Sequence, residues 1–203
     1  MAAVLINRST VPPRVTTPSR AVSGGEDADE ESVRDGDRGV EVRPATRADL
    51  LAVYRIEKSV FAQPWPFAAF EKLLDAPAFL VADGGEAELS VGADGVAAGD
   101  VLGYVVGDVT PNHGRDIGHV KDIAVRPDAQ GDGLGRRLLR ESLRELAVAG
   151  ATVVKLEVRE SNHRAQTLYA DEGFEPARRI PRYYADGEPA FVMALDLGSW
   201  AGG

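Results

Sequence analysis

The stretch RPDAQGDGLGRRLL, residues 126–139, constrains this chain more than any other. Gly131, Gly133 and Gly135 stand at alternate positions between the apolar run IAV and a segment with Leu134, Leu138, Ser142, Leu143 and Leu146 along one helical face. A strand, a glycine turn and a helix in series form the building unit of an α/β fold. Such a turn presents several backbone N–H groups at a helix N-terminus, where the helix dipole adds about half a positive charge. Side chains would only obstruct an anion approaching it. The stretch lacks the Gly-Lys-Ser/Thr ending of a P-loop, and its G-x-G-x-G spacing is not the G-x-G-x-x-G dinucleotide fingerprint. Taken alone, it would serve equally as an ordinary glycine-rich turn.

The flanking pattern is mixed. Alternating Val40 and Val42 read as a short strand; Thr46 and Asp49 make a capping-box-like start to a helix through Ser59, with Leu50, Val53, Tyr54 and Glu57 at helical spacing. FAQPWP breaks the chain, and FAAFEKLLDA resumes as a second helix from Pro66. AFLVAD, VLGYVVGDV and GHVKDIAV read as strands, with a long loop at 84–100 after the first. Gly150 stops the helix that follows the glycine turn. TVVKLEV is then a strand, SNHRAQTLYADEG a short helix, and FEPARRIPRYYADGEPAFVMALDL two hairpin strands. The predicted order is β α α β β β α β α β β, an α/β domain.

Residues 1–38 carry proline, serine, glycine and acid clusters without apolar periodicity, which predicts a disordered acidic tail. One domain over 39–197 follows, with 198–203 as a C-terminal extension. A net charge of −9 disfavours binding to a nucleic-acid backbone. Only four of the 23 basic residues are lysines, Lys58, Lys72, Lys121 and Lys155; acidic excess with lysine avoidance reads as a salt-adapted proteome signature, although the tail inflates it. The absence of cysteine excludes a thiolate nucleophile, a disulfide framework and a Cys-based zinc site, and no metal is expected. No apolar run approaches the roughly 20 residues of a membrane span, and the apolar run within MAAVLIN is shorter than a secretory core of about 7–15 residues and follows no basic segment, so a cytoplasmic protein is expected.

Gln130-Gly131-Asp132-Gly133-Leu134-Gly135 resembles the Q/R-x-x-G-x-G/A loop of the GNAT superfamily of acetyl-CoA-dependent N-acetyltransferases, and IAVRPDAQ resembles the strand leading into it. LEVRESNHRAQTLYADEGFE and RYYADGEPAFVMALDL resemble the RimI/Ard1 branch, the protein N-terminal acetyltransferases. The resemblance spans about residues 40–197, omitting the tail and the 84–100 loop. It implies a mixed twisted sheet with a V-shaped splay between central strands and helices on both faces. It implies that backbone groups of Ile123, Ala124 and Val125 meet the pantetheine of acetyl-CoA, with the Val125 N–H as an oxyanion donor. The loop from Gln130 through Gly131, Asp132, Gly133, Leu134 and Gly135 to Arg136 would take the pyrophosphate, the Arg136 side chain adding a cation. Asn162 would both cap its helix and touch the cofactor.

The resemblance also places a general base at Glu157 and an acid at Tyr169. Glu157 lies in an otherwise apolar strand, where desolvation is expected to raise its pKa; pairing with a nearby arginine is the alternative. Tyr169 could equally be plain core. His119, which aligns with a histidine of archaeal Ard1-like enzymes, is a second base, expected to share the role with Glu157 through water, Glu157 contributing more; a structural histidine is the alternative. Arg182, Tyr183 and Tyr184 would wall the peptide cleft opposite Phe61, Trp65 and Pro66, unless the tyrosines merely pack the hairpin. The implied acceptor is the N-terminal α-amine of proteins. Such an amine is roughly a tenth neutral at pH 7, against a few parts in ten thousand for lysine, so it asks less of its base. The readings in competition are a GNAT acting on a small amine and a non-catalytic acyl-CoA sensor whose tail recruits a partner.

Overall fold

The structure, a computed structural model, describes residues 39–85 and 100–200; the expected tail, most of the 84–100 loop and the last three residues lie outside the described residues. The elements run β1 (Glu41–Pro44), α1 (Leu50–Val60), α2 (Phe67–Lys72), β2 (Leu80–Asp83), β3 (Val101–Thr110), β4 (Asp116–Val125), α3 (Leu134–Val148), β5 (Ala151–Arg159), α4 (His163–Asp171), β6 (Glu175–Ile180) and β7 (Ala190–Asp196). This is the predicted order. The strands form one sheet, β1-β2-β3-β4-β5-β7-β6, in which only β4 and β5 run parallel.

Local chemistry sets the helix ends. Asp49 accepts from both the N–H and the hydroxyl of Thr46 at 2.8 Å, and Arg43 grips the same carboxylate at 2.8 and 2.9 Å, so a short 3₁₀ turn leads into α1. Helix α2 begins after Pro66 but stops at Lys72, four residues short of the expected FAAFEKLLDA. Pro77 disfavours helical backbone at Ala76, and the Leu73 and Ala76 N–H groups bond three residues back, turning the chain into β2.

Two cores flank the sheet. Leu138, Leu143 and Leu146 of α3 and Ala165 and Tyr169 of α4 pack with Val154, Leu156 and Val158 of β5 on one face. Leu50, Val53 and Ile56 of α1 and Phe70 of α2 pack with Tyr104, Val106 and Ala124 on the other. Side chains alternate along β5, so Lys155, Glu157 and Arg159 face the α1/α2 side.

The sheet is broken at its centre. β4 pairs with β5 only from Asp116↔Ala151 to His119↔Lys155. A bulge leaves Lys121 without a partner between Val106↔Asp122 and Gly107↔Val120, and beyond it the two strands diverge. β4 stays on β3 as far as Gly103↔Val125, and β5 stays on β7 as far as Arg159↔Ala190. The gap is the V-shaped splay that the resemblance implies. Because the Arg126 N–H bonds to the Leu102 carbonyl, the alternation of an antiparallel ladder turns the backbone groups of Ile123 and Val125 away from β3, into the gap.

Close strand packing makes Gly103 intolerant of a side chain: a Cβ there would lie 2.9 Å from the Ala124 carbonyl oxygen and 3.3 Å from the Val125 Cα. Gly103→Ala should lower unfolding free energy by about 1–3 kcal/mol. Gly135→Ala, whose Cβ meets only Val125 Cγ2 at 3.8 Å, should stay within about 1 kcal/mol of the parent. Urea midpoints at constant m-value check both.

Candidate active site

The mouth of the gap is the glycine turn. Gly131 and Gly133 have φ of +114° and +80°, backbone that L-residues avoid, and a Cβ on either would project into open space. Gly133 is the N-cap of α3; no side chain caps this helix, and its first turn holds no acidic residue. The donors of a helix start are thus left facing outward beside the gap. Gln130 folds the turn back by donating from Nε2 to the Val125 carbonyl at 2.8 Å, which leaves the Ile123 groups and the Val125 N–H directed into the gap. Asp132 is exposed, while Leu134 packs into the core, so each can offer the turn only its backbone N–H. Arg136 departs from expectation: its guanidinium is held by Asp171 at 2.6 Å and Glu172 at 3.4 Å, which spends the charge on α4. Asn162 does cap α4, accepting from the Ala165 N–H at 3.1 Å.

On the α1/α2 side of the break, His119 Nε2 lies 2.6 Å from Glu157 Oε2, and Lys155 Nζ lies 3.1 Å from Glu157 Oε1. Glu157 is 5% exposed. Burial pushes its carboxyl up, as expected from its apolar strand, but the hydrogen bond and charge of His119, joined by Lys155, outweigh that and hold it below the usual glutamate value. The expected raised pKa is therefore corrected, and the neighbours are a histidine and a lysine rather than an arginine. His119 and Glu157 also touch directly, without an intervening water. Lys155 was legible only as the residue two before Glu157 on the same strand face.

Tyr169 is fully buried, and its hydroxyl has no hydrogen-bond partner among the described residues. Burial, then the charges of Asp122 and Tyr184, push the phenol well above its ordinary value. Its ring belongs to the α3/α4 core, whereas Asp122, whose charge acts on it, bonds on the other face. Tyr184 is buried at 6% exposure, with the Arg159 guanidinium 3.9 Å from its ring centre and Tyr183 edge-on at 5.2 Å. Both tyrosines pack the hairpin; Tyr183 keeps a half-buried edge, and Arg182 is exposed with φ +51°. Trp65 is half-buried against Phe70, but Phe61 is 4% exposed and offers no wall to an acceptor, because α1 must end by burying it.

Sequence reasoning missed one cluster. Glu57 Oε2 and Asp122 Oδ2 lie 2.5 and 2.9 Å from the buried Tyr104 hydroxyl, and Glu57 Oε1 accepts from the Trp65 N–H at 2.6 Å. Glu57 gave a signal, a carboxylate on the apolar stripe of α1.

Glu157 makes a signed pH prediction. A carboxyl held below its ordinary value stabilises the fold above about pH 4.5, and that contribution is lost as pH falls through the lowered value. The difference in melting temperature between the parent and Glu157→Gln should therefore shrink between about pH 5 and about pH 3. A thermal-melt series over that range tests it.

Residues 50–174 match the acetyltransferase (GNAT) family. The N-alpha-acetyltransferase of Sulfolobus acidocaldarius is 32% identical over 168 residues, covering 77% of this chain and 92% of that protein. The N-alpha-acetyltransferase RimI of Mycobacterium tuberculosis is 36% identical over 78% of this chain and 94% of its own length. Among solved structures, the ribosomal-protein-S18-alanine N-acetyltransferase of Escherichia coli superposes with a TM-score of 0.60 at 29% identity, over 78% of this chain and 94% of that one. The split sheet, the glycine turn and this family match agree: the chain belongs to the GNAT family and is an N-acetyltransferase.

Proposed function

We propose that the chain transfers the acetyl group of acetyl-CoA to the N-terminal α-amine of proteins, by direct attack within a ternary complex. The observation that carries this reading is the His119–Glu157 pair, part-buried beside the opened edge of β4, the strand whose far end leads to an uncapped helix start. RimI and the Sulfolobus relative are both named for α-amine acetylation. Acetyl-CoA supplies the activated thioester.

The backbone N–H groups of the turn from Gln130 to Arg136 donate to the pyrophosphate, and the inward groups of Ile123 and Val125 hold the pantetheine as a strand would. Ala124 turns its side chain into the α1/α2 core and serves by spacing them. The Val125 N–H faces the place where negative charge develops on the thioester oxygen. The lowered value of Glu157 makes it a poor proton acceptor from an amine of pKa about 7.7–8. Its part is to hold the His119 imidazole and to stabilise it once His119 has taken the proton. This moves the main base role from Glu157 to His119. Tyr169 donates its O–H to the departing thiolate; complete transfer from so weak a phenol to a thiolate whose acid has pKa about 8.5 is uphill, so the hydrogen bond itself is the contribution. The half-buried Trp65 and Tyr183, with the exposed Arg182, border the acceptor side. Among the described residues no helix is long and apolar enough to cross a membrane. A cytoplasmic site of action, where nascent N-termini meet acetyl-CoA, fits this reading.

Mass spectrometry of a peptide panel tests the acceptor. Free N-termini should be acetylated and blocked ones left unmodified; acetylation of small amines alone would refute the reading. Because His119 and Glu157 act as one unit, His119→Ala should cost about 10²–10⁴ in kcat and the double variant with Glu157→Gln little more. Losses that simply multiply in this cycle would separate the two residues.

A further inference from the structure

The Tyr104 hydroxyl has one hydrogen to donate, yet two carboxyl oxygens lie within hydrogen-bond distance, Glu57 Oε2 at 2.5 Å and Asp122 Oδ2 at 2.9 Å. All three side chains are buried: Tyr104 is 0%, Glu57 1% and Asp122 1% exposed. Two ionised carboxylates would leave one contact as a bare oxygen–oxygen repulsion in a dry core. Both contacts become hydrogen bonds if one carboxyl is protonated and donates to the phenol oxygen. Glu57 already accepts at Oε1 from the Trp65 N–H at 2.6 Å, which favours the charge there. Asp122 Oδ1 has no partner among the described residues, which suits the carbonyl oxygen of a neutral acid. The chain then has one direction, from Asp122 through Tyr104 to Glu57 and the backbone at Trp65.

We propose that Glu57 and Asp122 share a single proton across Tyr104, and that this hydrogen-bond chain is a positioning device that sets the α1–α2 loop, and with it the acceptor peptide, against the open edge of β4. The acceptor half rests on the function proposed above; the proton-sharing half does not. The device spans what must stay in register: Asp122 precedes the inward-facing Ile123 on β4, and Trp65 lies in the loop between α1 and α2. Among the described residues, the titratable groups facing the pair include Tyr104 from β3 and, across the gap, Tyr169 from α4. From α2, the Phe70 ring lies 5.6 Å from that of Tyr104, and Lys121, next along β4, is paired with Asp108 at 3.1 Å. Burial and the Glu57 carboxylate push Asp122 well above the usual carboxylate range. The folded state therefore binds a proton that the unfolded chain has released, and the device weakens as pH rises through that raised value.

Three variants of the full chain test this. Tyr104→Phe removes the bridge and should raise the peptide KM about tenfold, the upper end for one hydrogen bond, while kcat stays within about threefold and the acetyl-CoA Kd is unchanged. Asp122→Asn supplies a permanent donor to Tyr104, so its peptide KM should stay within about twofold of the parent at pH 7 and lose the parent's rise at alkaline pH. Trp65 and Trp200 are the two tryptophans; in a Trp200→Phe background, Trp65 emission should shift as the pH is raised above neutral with Asp122 present and hold steady with Asp122→Asn. A peptide KM for Asp122→Asn as poor as that for Tyr104→Phe, or one pH course of emission in both backgrounds, overturns the proposal. If no peptide is acetylated, the acceptor reading fails, and Trp65 emission still decides the shared proton.

Discussion

The loss of pairing between β4 and β5 is the constraint on which the rest of the molecule depends. A buried sheet normally satisfies every backbone N–H and C=O within its own ladder. Here the ladder ends at His119↔Lys155, while each strand remains bound to its outer neighbour, so the opening is held from both sides. The bulge at Lys121 supplies the bend, and the parallel start of the pair fixes where divergence begins. Backbone groups that would have paired with a neighbouring strand are left facing the gap instead, with the His119–Glu157 pair on its α1/α2 side.

Electrostatics then divides the buried carboxyls into two kinds. Glu157 and Asp122 stand on neighbouring strands, both buried, and burial pushes both upward. Glu157 faces His119 and Lys155 and ends below its ordinary value; Asp122 faces Glu57 and ends far above. The partners decide the protonation state, not the degree of burial. One carboxyl is thus held toward its ionised form beside an imidazole, the other toward its neutral form beside a second carboxyl. Arg136 shows the same logic at the surface, where α4 carboxylates claim a cation that the glycine turn alone would have drawn toward phosphate.

Much of this was legible in the chain itself. Apolar periodicity and glycine or proline punctuation report local backbone preference, and the seven strands and four helices follow the predicted order. The glycine turn was readable because positive φ and bare N–H groups are local requirements that few residues meet. The early end of α2 escapes the apolar pattern, which runs on past Lys72, because Pro77 disfavours helical backbone at Ala76. Phe61 was misplaced because an aromatic beside a proline-rich break reads alike whether it faces a cleft or a core.

By itself, then, the sequence determined the α/β class, the order of elements, the glycine-capped helix start and the residue types available for acyl transfer, all properties of contiguous stretches. Only the tertiary structure decided which side chains meet: His119 with Glu157 across 38 residues, and Glu57 with Tyr104 across 47. Those pairings follow from strand register and from helices crossing a twisted sheet. The protonation of a buried carboxyl depends on the charge a few ångströms away, a distance that sequence separation does not encode.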